Sequence, residues 1–397
     1  MKRRRTRGYK GYRGRSRLPK GILPVLLAVM VLALAGTAAY FFSPWRPWEA
    51  APQPAEQDNV DKTTPADEDP VTPPEDPAEN DPPKDETPAT GYAVIRLEGE
   101  KKAYDTVFRV GDTGFEMYTY VPEQAQKYAE AVNKTAETLK DVSTVYDITV
   151  PLSSSITLPD DMQGDPLFDD QKAAMETVAG MMGEKVHTVS LYEALMQHRG
   201  EYIYYRTDHH WTALGAYYAY CQFCQAKGIT PHALTDYEKV EFPGFLGSFY
   251  RDTNQDKTME QHPDTVEAYR PVSKDAELTF TDSQGQTYPW DIIFDVTDYP
   301  ADLKYSCFIA SDNPYTIIRN PALTDGSTCL VVKESFGNAF VPYLVDHYQT
   351  IHVVDYRYWE GNLTSFAKAN GVQDVIFVNN LSAIRSSYLM GKLQGVM

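Results

Sequence analysis

Short apolar segments alternate with helical patterns over the last 75 or so residues of this 397-residue chain. The apolar segments are residues 328–332, 350–354 and 375–378, and helical spacing follows each of the first two. Strands that alternate with helices in this way form a parallel sheet. Functional side chains in such sheets collect beyond the carboxyl ends of the strands. Ser335, the segment 355–358 and Asn379 all follow strands, so the sequence predicts a site at this edge.

Ser335 lies in the sequence Lys-Glu-Ser-Phe-Gly-Asn, directly after the first of these strands. Gly337 permits a tight turn there, and the amides at the start of the next helix could stabilise an oxyanion. A serine at a strand-to-helix turn is more commonly just a helix N-cap. Ser248 is a rival nucleophile, but its Gly/Pro-rich surroundings show no strand-to-helix context. We therefore expect Ser335 to be the nucleophile if the protein has one.

A second candidate element is the octapeptide Tyr-Arg-Thr-Asp-His-His-Trp-Thr at residues 205–212, which precedes a helical pattern ending at Gly228. Asp208 stands two residues before His210 and could orient its imidazole, which would leave the other ring nitrogen free as a base. Alternatively, Asp208 caps the next helix, or Asp208, His209 and His210 ligate a metal. Adjacent histidines at a turn point apart and no HExxH motif is present, so no metal is expected. His209 is interpreted as structural or substrate-facing.

The segment Thr-Asp-His-His-Trp-Thr resembles the signature of the DHHW protein family. That family is similar to the alginate O-acetylation proteins of the SGNH hydrolase-like superfamily, and the resemblance covers roughly residues 92–397. It implies an α/β fold with a flavodoxin-like parallel sheet, flanking helices and a circularly permuted motif order, in which Asp and His precede Ser. Residues 232–325, which are poor in helical pattern, are expected to form a β-rich or irregular insertion. One departure is that Lys-Glu-Ser replaces the usual Gly-Asp-Ser.

The resemblance also implies a Ser-His-Asp acyl-transfer site made of Ser335, His210 and Asp208. Arg357 or Asn379 would assist the Ser335 amide in holding the oxyanion, although Arg357 could instead pair with Asp355. The implied function is O-acetylation of an envelope or exported polysaccharide, with no cofactor and with a membrane-bound O-acyltransferase as a candidate acyl donor. A carbohydrate acetylesterase and an inactive glycan-binding scaffold in an export complex are the alternatives.

The N-terminal part of the chain suggests a membrane protein. Residues 1–20 carry ten Lys and Arg and no acid, and the 22 residues 21–42 carry no charge. These features predict a basic cytoplasmic tail, one transmembrane helix and an extracellular C-terminal domain, with a cleaved signal peptide as the rival interpretation. Residues 43–90 are Pro-rich and acidic and are expected to be a disordered linker to a domain at 91–397.

Charge and cysteine content limit the remaining possibilities. Residues 91–397 carry a net charge of −18, which argues against nucleic acid as a partner. The four cysteines, at positions 221, 224, 307 and 329, offer one isolated CxxC pair and no second ligand cluster, so structural zinc is not expected. Free thiols and a Cys307–Cys329 disulfide both remain open.

Overall fold

A computed structural model describes the chain from residue 91 to residue 397. Thirteen strands are present in this part: β1 Lys101–Ala103, β2 Val107–Val110, β3 Thr113–Glu116, β4 Thr144–Val150, β5 Val186–Thr188, β6 Glu238–Phe245, β7 Asp264–Arg270, β8 Glu277–Thr281, β9 Thr287–Trp290, β10 Tyr315–Arg319, β11 Thr328–Lys333, β12 Thr350–Asp355 and β13 Asp374–Asn380.

The α-helices of the same residues are mostly short: α1 Pro122–Leu139, α2 Ser153–Ile156, α3 Gln171–Gly180, α4 Tyr192–Gln197, α5 Ala213–Lys227, α6 Ser248–Asp252, α7 Lys257–Glu260, α8 Gly337–Phe340, α9 Leu363–Ala369, α10 Leu381–Arg385 and α11 Ser387–Gly395. Short 3-10 helices occupy Asp160–Met162, Leu234–Asp236, Ala301–Cys307 and Val341–Leu344.

Eight strands form one central sheet in the order β5-β4-β13-β11-β12-β10-β8-β9. The five strands from β5 to β12 are parallel, whereas β10, β8 and β9 add to the edge in antiparallel fashion. Every residue of β11 and β13 is buried, as expected for parallel strands that are covered on both faces. The predicted α/β fold with a parallel sheet is confirmed.

Local sequence signals explain the two longest helices. In α1, a proline stands at the start, and the apolar side chains that share one face, including Tyr128, Val132 and Leu139, are buried. In α5, the Thr212 side chain accepts a hydrogen bond from the Gly215 amide, and Gly228 ends the helix at a positive φ of 76°. The predicted helix after the octapeptide is therefore confirmed.

Residues 232–325 contain the five strands β6 to β10. Strands β6 and β7 form a separate two-stranded sheet, while β8, β9 and β10 continue the central sheet. Near the N-terminal end of the described chain, β1, β2 and β3 form a third, small sheet. The end of β3 and the turn after β6 both approach the carboxyl edge of the central sheet, where the candidate site lies. The four cysteines are free thiols.

The membrane localisation predicted from the sequence is corrected. Between residues 91 and 397, no helix is both long and apolar enough to cross a bilayer. The longest, α1, has 18 residues and carries charged side chains such as Glu123 and Lys127 along its exposed face. The basic tail at 1–20, the uncharged run at 21–42 and the linker at 43–90 lie outside the described residues.

Candidate active site

The octapeptide forms a compact loop at the start of α5. An isolated bridge pairs Tyr204 with Trp211, and the Thr212 amide donates to the Ile203 carbonyl at 3.0 Å. Because Thr212 caps α5, Asp208 is not the helix cap that the sequence left open. The loop instead turns the carboxylate of Asp208 and the ring of His210 inward, and both side chains are more than nine-tenths buried.

Three predicted residues form a continuous chain of hydrogen bonds. Asp208 Oδ1 lies 2.6 Å from Nδ1 of His210, and Nε2 of the same ring lies 2.7 Å from Oγ of Ser335. Asp208 and Ser335 are thus joined through both nitrogens of one imidazole, although Ser335 lies 125 residues beyond His210. This geometry is the one that a general base needs to deprotonate a serine hydroxyl.

Ser335 lies two residues after the end of β11, at the carboxyl edge of the parallel strands. It does not cap a helix, because α8 begins at Gly337 and has no side-chain cap. The fully buried Trp211 donates its indole N–H to the Phe336 carbonyl at 3.0 Å, which ties the histidine loop to the serine turn. The Tyr305 ring stacks on His210 at 4.0 Å and its hydroxyl donates to the Ser335 carbonyl.

Asp208 is buried but held in its charged form. Burial by itself raises the pKa of a carboxyl, but the imidazoles of His210 and His209 and the hydrogen bonds outweigh it and hold the pKa of Asp208 well below its usual range. One of those bonds comes from the backbone amide of Ser248, which donates to Oδ2 at 2.8 Å. An ionised, oriented carboxylate is what stabilises an imidazolium beside it.

Gly247 allows this close approach of the backbone to Asp208. A Cβ at position 247 would lie far inside van der Waals contact with the Asp208 carboxylate and its Cβ. We expect Gly247→Ala to displace Asp208 and to cost about 1–3 kcal/mol of folding free energy. If the site carries out the acyl transfer expected from the sequence, turnover of an acyl ester should fall at least tenfold. Turnover and the thermal midpoint test this. Gly180→Ala, at a position with no neighbour within 4 Å of the added carbon, is the matched control. Wild-type turnover in Gly247→Ala would contradict the expectation.

Buried carboxylates that the sequence analysis missed fix the two loops of the site. Asp264, at the start of β7, accepts hydrogen bonds from the amide and hydroxyl of Thr207, both at 2.7 Å, and from Arg206. Glu334 accepts from the Phe336 amide at 3.2 Å and from the Asn380 amide at 3.1 Å. Burial raises the pKa of Glu334. The partners of Asp264 and the Asn380 partner of Glu334 come from distant parts of the chain, so no local motif marks these contacts.

Arg357 and Asn379 do not both reach the site as predicted. Arg357 lines the cleft beside Ser335, but its guanidinium also pairs with Asp355 at 2.6 Å, which is the alternative that the sequence left open. Asn379 is corrected: its side chain contacts the hydroxyl of Tyr128, within the core. Successive strand residues point to opposite faces, so Asn380 lines the cleft in its place.

A buried network of paired charges supports the serine turn from behind. Lys333, which is 1% exposed, donates to Asp355 at 2.9 Å and to Asp312 at 3.1 Å. Arg357 also lies 2.9 Å from Asp312, so two cations face two carboxylates. Asp312 follows three residues, 309–311, that all have left-handed φ values between 45° and 67°. Strain of this kind persists only where the surroundings hold it in place, and here it delivers Asp312 to the network.

Ser335 opens into a polar cleft of about 360 Å³. Its walls come from the end of β3, from α6 and from the first turns after β13. Many side chains of these walls can form hydrogen bonds: Glu116, His209, Ser248, Arg251, Asp252, Glu334, Arg357, Ser382 and Ser386. Ser248 is thus a cleft residue, and the expectation that it lacks strand-to-helix context was wrong, because β6 ends at Phe245 and α6 begins at Ser248.

The one cluster of possible metal ligands within residues 91–397 is Asp208, His209 and His210, whose ligand atoms lie within 4.8 Å of one another. Both nitrogens of His210 already have partners, in Asp208 and Ser335. Nδ1 of His209 lies 2.6 Å from Oγ of Ser248. These three ring nitrogens are therefore already engaged in hydrogen bonds.

Comparison with known proteins settles the family. The DHHW protein family model matches residues 71–354, which is well over half of the chain. The chain belongs to the DHHW family. This confirms the assignment made from the motif, and the matched segment begins inside the stretch 43–90 that was predicted to be a linker. No curated protein matches the chain.

Solved structures share the fold of this DHHW protein. A DHHW family protein from Eubacterium siraeum is 27% identical, with a TM-score of 0.69 over 76% of this chain and 99% of that one. Bacillus cereus PatB1, solved with a sulfonyl adduct, is 18% identical, with a TM-score of 0.61 over 71% of this chain and 97% of its own. The O-acetyltransferase domain of Pseudomonas putida AlgJ is 14% identical, with a TM-score of 0.40 over 76% of this chain and 98% of its own.

Proposed function

We propose that this DHHW protein is an acyltransferase that moves an acyl group, by way of Ser335, onto a hydroxyl of a polysaccharide. The observation that carries the proposal is the hydrogen-bond chain from Asp208 through His210 to Ser335, with links of 2.6 and 2.7 Å. Serine is a weak nucleophile unless a base accepts its proton, and His210 is placed to accept it. Asp208 holds the ring with Nε2 toward the serine and stabilises the imidazolium.

The reaction would proceed in two balanced steps. In the first, Ser335 Oγ attacks the acyl carbonyl of an ester donor while His210 Nε2 takes the hydroxyl proton. The bond between the acyl carbon and the donor oxygen then breaks, and that proton passes to the leaving oxygen. In the second step, a hydroxyl of the acceptor gives its proton to His210 and attacks the acyl carbon. The bond to Ser335 Oγ breaks, and the proton returns to the serine.

Two groups near Ser335 would stabilise the oxyanion formed in each step. The first is the backbone amide of Ser335, which lies two residues beyond the carboxyl end of β11. Arg357 would add positive charge at the wall of the cleft, although it shares that charge with Asp312 and Asp355. Electrostatic stabilisation of this kind contributes roughly 10²–10³ in rate for each donor.

A polysaccharide acceptor is favoured by the character of the cleft. Side chains that can donate and accept hydrogen bonds line it on several sides, as a polyhydroxylated ligand requires. Two of the exposed tyrosines are sequence neighbours of cleft residues: Tyr358 follows Arg357, and Tyr388 precedes Leu389. Tyrosine faces suit the apolar faces of sugar rings. The acyl donor, for which the sequence suggested a membrane-bound O-acyltransferase, stays a prediction.

An esterase is the second candidate, because the same cleft is open enough to admit water as the acceptor. The two functions share the acyl-enzyme and differ only in the second step. In the deciding experiment, para-nitrophenyl acetate is supplied with and without a polysaccharide digest. Nitrophenol release, acetylated glycan and acetate are then measured.

We expect an acetylated Ser335 peptide by mass spectrometry, faster nitrophenol release with glycan, and the same rates after EDTA treatment. A sulfonyl fluoride, chosen because PatB1 holds a sulfonyl adduct, should label Ser335 and block turnover. Acetate without acetylated glycan would favour the esterase. Absence of any turnover, together with absence of an acyl-enzyme, would exclude both and favour the glycan-binding scaffold. Activity restored only by a divalent ion would favour the metal interpretation of the histidine cluster.

A further inference from the structure

His209, the first histidine of the motif, takes no part in the chain that joins Asp208 to Ser335. Its ring nevertheless lies beside the base: the centroids of the His209 and His210 rings are 3.9 Å apart. The side chain is 32% exposed and forms part of the cleft wall, whereas Asp208 and His210 are almost fully covered. A polar ring held next to the catalytic base and open to substrate invites a functional explanation.

Ser248 holds the ring of His209 in place. The serine hydroxyl accepts the backbone N–H of His209 at 3.2 Å and lies 2.6 Å from Nδ1 of the ring. The hydroxyl oxygen has two lone pairs, so it can accept from the amide and, with a neutral ring, either donate to Nδ1 or accept from it. Burial and the neighbouring His210 lower the pKa of His209, which favours this neutral form. In both tautomers Nδ1 is occupied by Ser248, and within residues 91–397 Nε2 has no hydrogen-bond partner, so Nε2 is free to hydrogen-bond to a ligand.

The position of His209 identifies which part of the ligand it can meet. In either step, the oxygen that exchanges a proton with His210 is that of the leaving group or of the acceptor hydroxyl. The atoms bonded to that oxygen must pass close to His210, and His209 is the polar ring adjoining it. We infer that His209, whose ring Ser248 holds through Nδ1, hydrogen-bonds through Nε2 to a second hydroxyl of the acceptor, next to the hydroxyl that is acylated.

This inference rests on the proposed function and narrows its substrate class. A hydrogen-bonding nitrogen beside the base selects acceptors in which the reacting hydroxyl has a neighbouring hydroxyl, as in the vicinal diols of sugar rings. Water and simple alcohols offer no second oxygen, so they gain nothing from it. Discrimination by one hydrogen bond of ordinary strength is about tenfold. His209 is thus a specificity-determining residue, which makes the site better suited to transfer onto a glycan than to hydrolysis.

The test compares two acceptors on the full-length protein, with para-nitrophenyl acetate as the acyl donor. Methyl α-D-glucopyranoside carries vicinal hydroxyls, and 1-propanol carries an isolated one. We expect the wild type to prefer the glucoside and His209→Phe to lose about tenfold of that preference, chiefly through a higher KM for the glucoside. His209→Gln retains an N–H donor and should recover part of the loss. Ser248→Ala removes the hydrogen bond that holds the ring and should reduce the preference about two- to threefold.

Controls separate this inference from the proposed function beneath it. His262→Gln changes a histidine that hydrogen-bonds to the Thr258 carbonyl, away from the cleft, and should keep the wild-type preference. A folded His209→Phe with the wild-type preference overturns the inference, and so does a wild type that does not distinguish the two acceptors. His209 would instead be a metal ligand if His209→Phe lost all turnover, and if EDTA also abolished turnover of the wild type and a divalent ion then restored it. If Ser335→Ala forms the same products, the proposed function itself fails.

Discussion

Replacing Ser335 or His210 with Ala is expected to lower acyl-ester turnover by roughly 10³-fold or more, because each variant breaks the same proton-transfer unit. Ser335→Ala removes the atom that carries the acyl group. His210→Ala leaves that atom without a base, since Nε2 of His210 is the ring nitrogen 2.7 Å from Oγ. Turnover of para-nitrophenyl acetate is the measurement, with the thermal midpoint of each variant recorded beside it.

The double variant sharpens this prediction. When two residues act as one unit, removing both costs little more than removing either one. We therefore expect Ser335→Ala with His210→Ala to be nearly as active as the weaker single variant. Ser283→Ala, in the exposed turn between β8 and β9, is the serine control and should match the wild type. Full turnover in a folded Ser335→Ala, or losses that multiply in the double variant, would show that the two residues do not act together.

Local sequence patterns predicted those parts of the site that depend on neighbouring residues. The spacing of Asp208 and His210 places both on one short loop, and the loop alone brings them within 2.6 Å. A short apolar run marked β11 in the sequence, because a strand that is buried on both faces carries apolar residues throughout. Functional side chains of parallel sheets collect after the carboxyl ends of strands, so Ser335 was predicted to lie in the site. The cap and the terminal glycine of α5 are likewise local signals.

The parts that could not be predicted depend on contacts between distant segments. Oδ2 of Asp208 accepts a hydrogen bond from the backbone amide of Ser248. Ser248 lies 40 residues further on, after a strand that the sequence did not reveal. Tyr305, which stacks on His210, comes from a 3-10 turn with no motif of its own. Sequence proximity gives no information on such pairings, because they depend on how the β6–β7 sheet packs beside the central one.

The Asn379 error has a different physical cause. Both asparagines end β13, and the sequence correctly places them at the carboxyl edge of the sheet. Which of the two faces the cleft depends on the parity of the strand, and a shift of one residue reverses every side chain. The Asn379 side chain contacts Tyr128 of α1. Asn380 lines the cleft, and its backbone N–H donates to Glu334. A short strand that is buried on both faces shows no alternation from which that parity could be inferred.

Asp208→Asn should produce the other large effect, a loss of roughly 10⁴ in turnover with the fold retained. The structure removes the concern that this change would also uncap α5, because Thr212 holds that position. An asparagine fits the same space, but its amide can present an N–H to Nδ1 of His210 where the carboxylate presents only an acceptor. The ring would then carry its proton on Nε2, directed at Ser335, and could not accept the serine proton.

The pH dependence distinguishes this cause from simple loss of structure. The pKa of Asp208 lies well below its usual range in the folded protein, so its charge stabilises the fold at neutral pH and is lost only in strong acid. Asp208→Asn lacks that contribution, and its thermal midpoint should fall relative to the wild type above about pH 4, where a carboxyl in the unfolded chain is ionised. Asp170→Asn, which exchanges one good cap of α3 for another, is the control and should be silent in both measurements. An Asp208→Asn protein that keeps more than about a tenth of the turnover would show that Asp208 does not orient His210 for catalysis, because tautomer control of this kind accounts for losses near 10⁴.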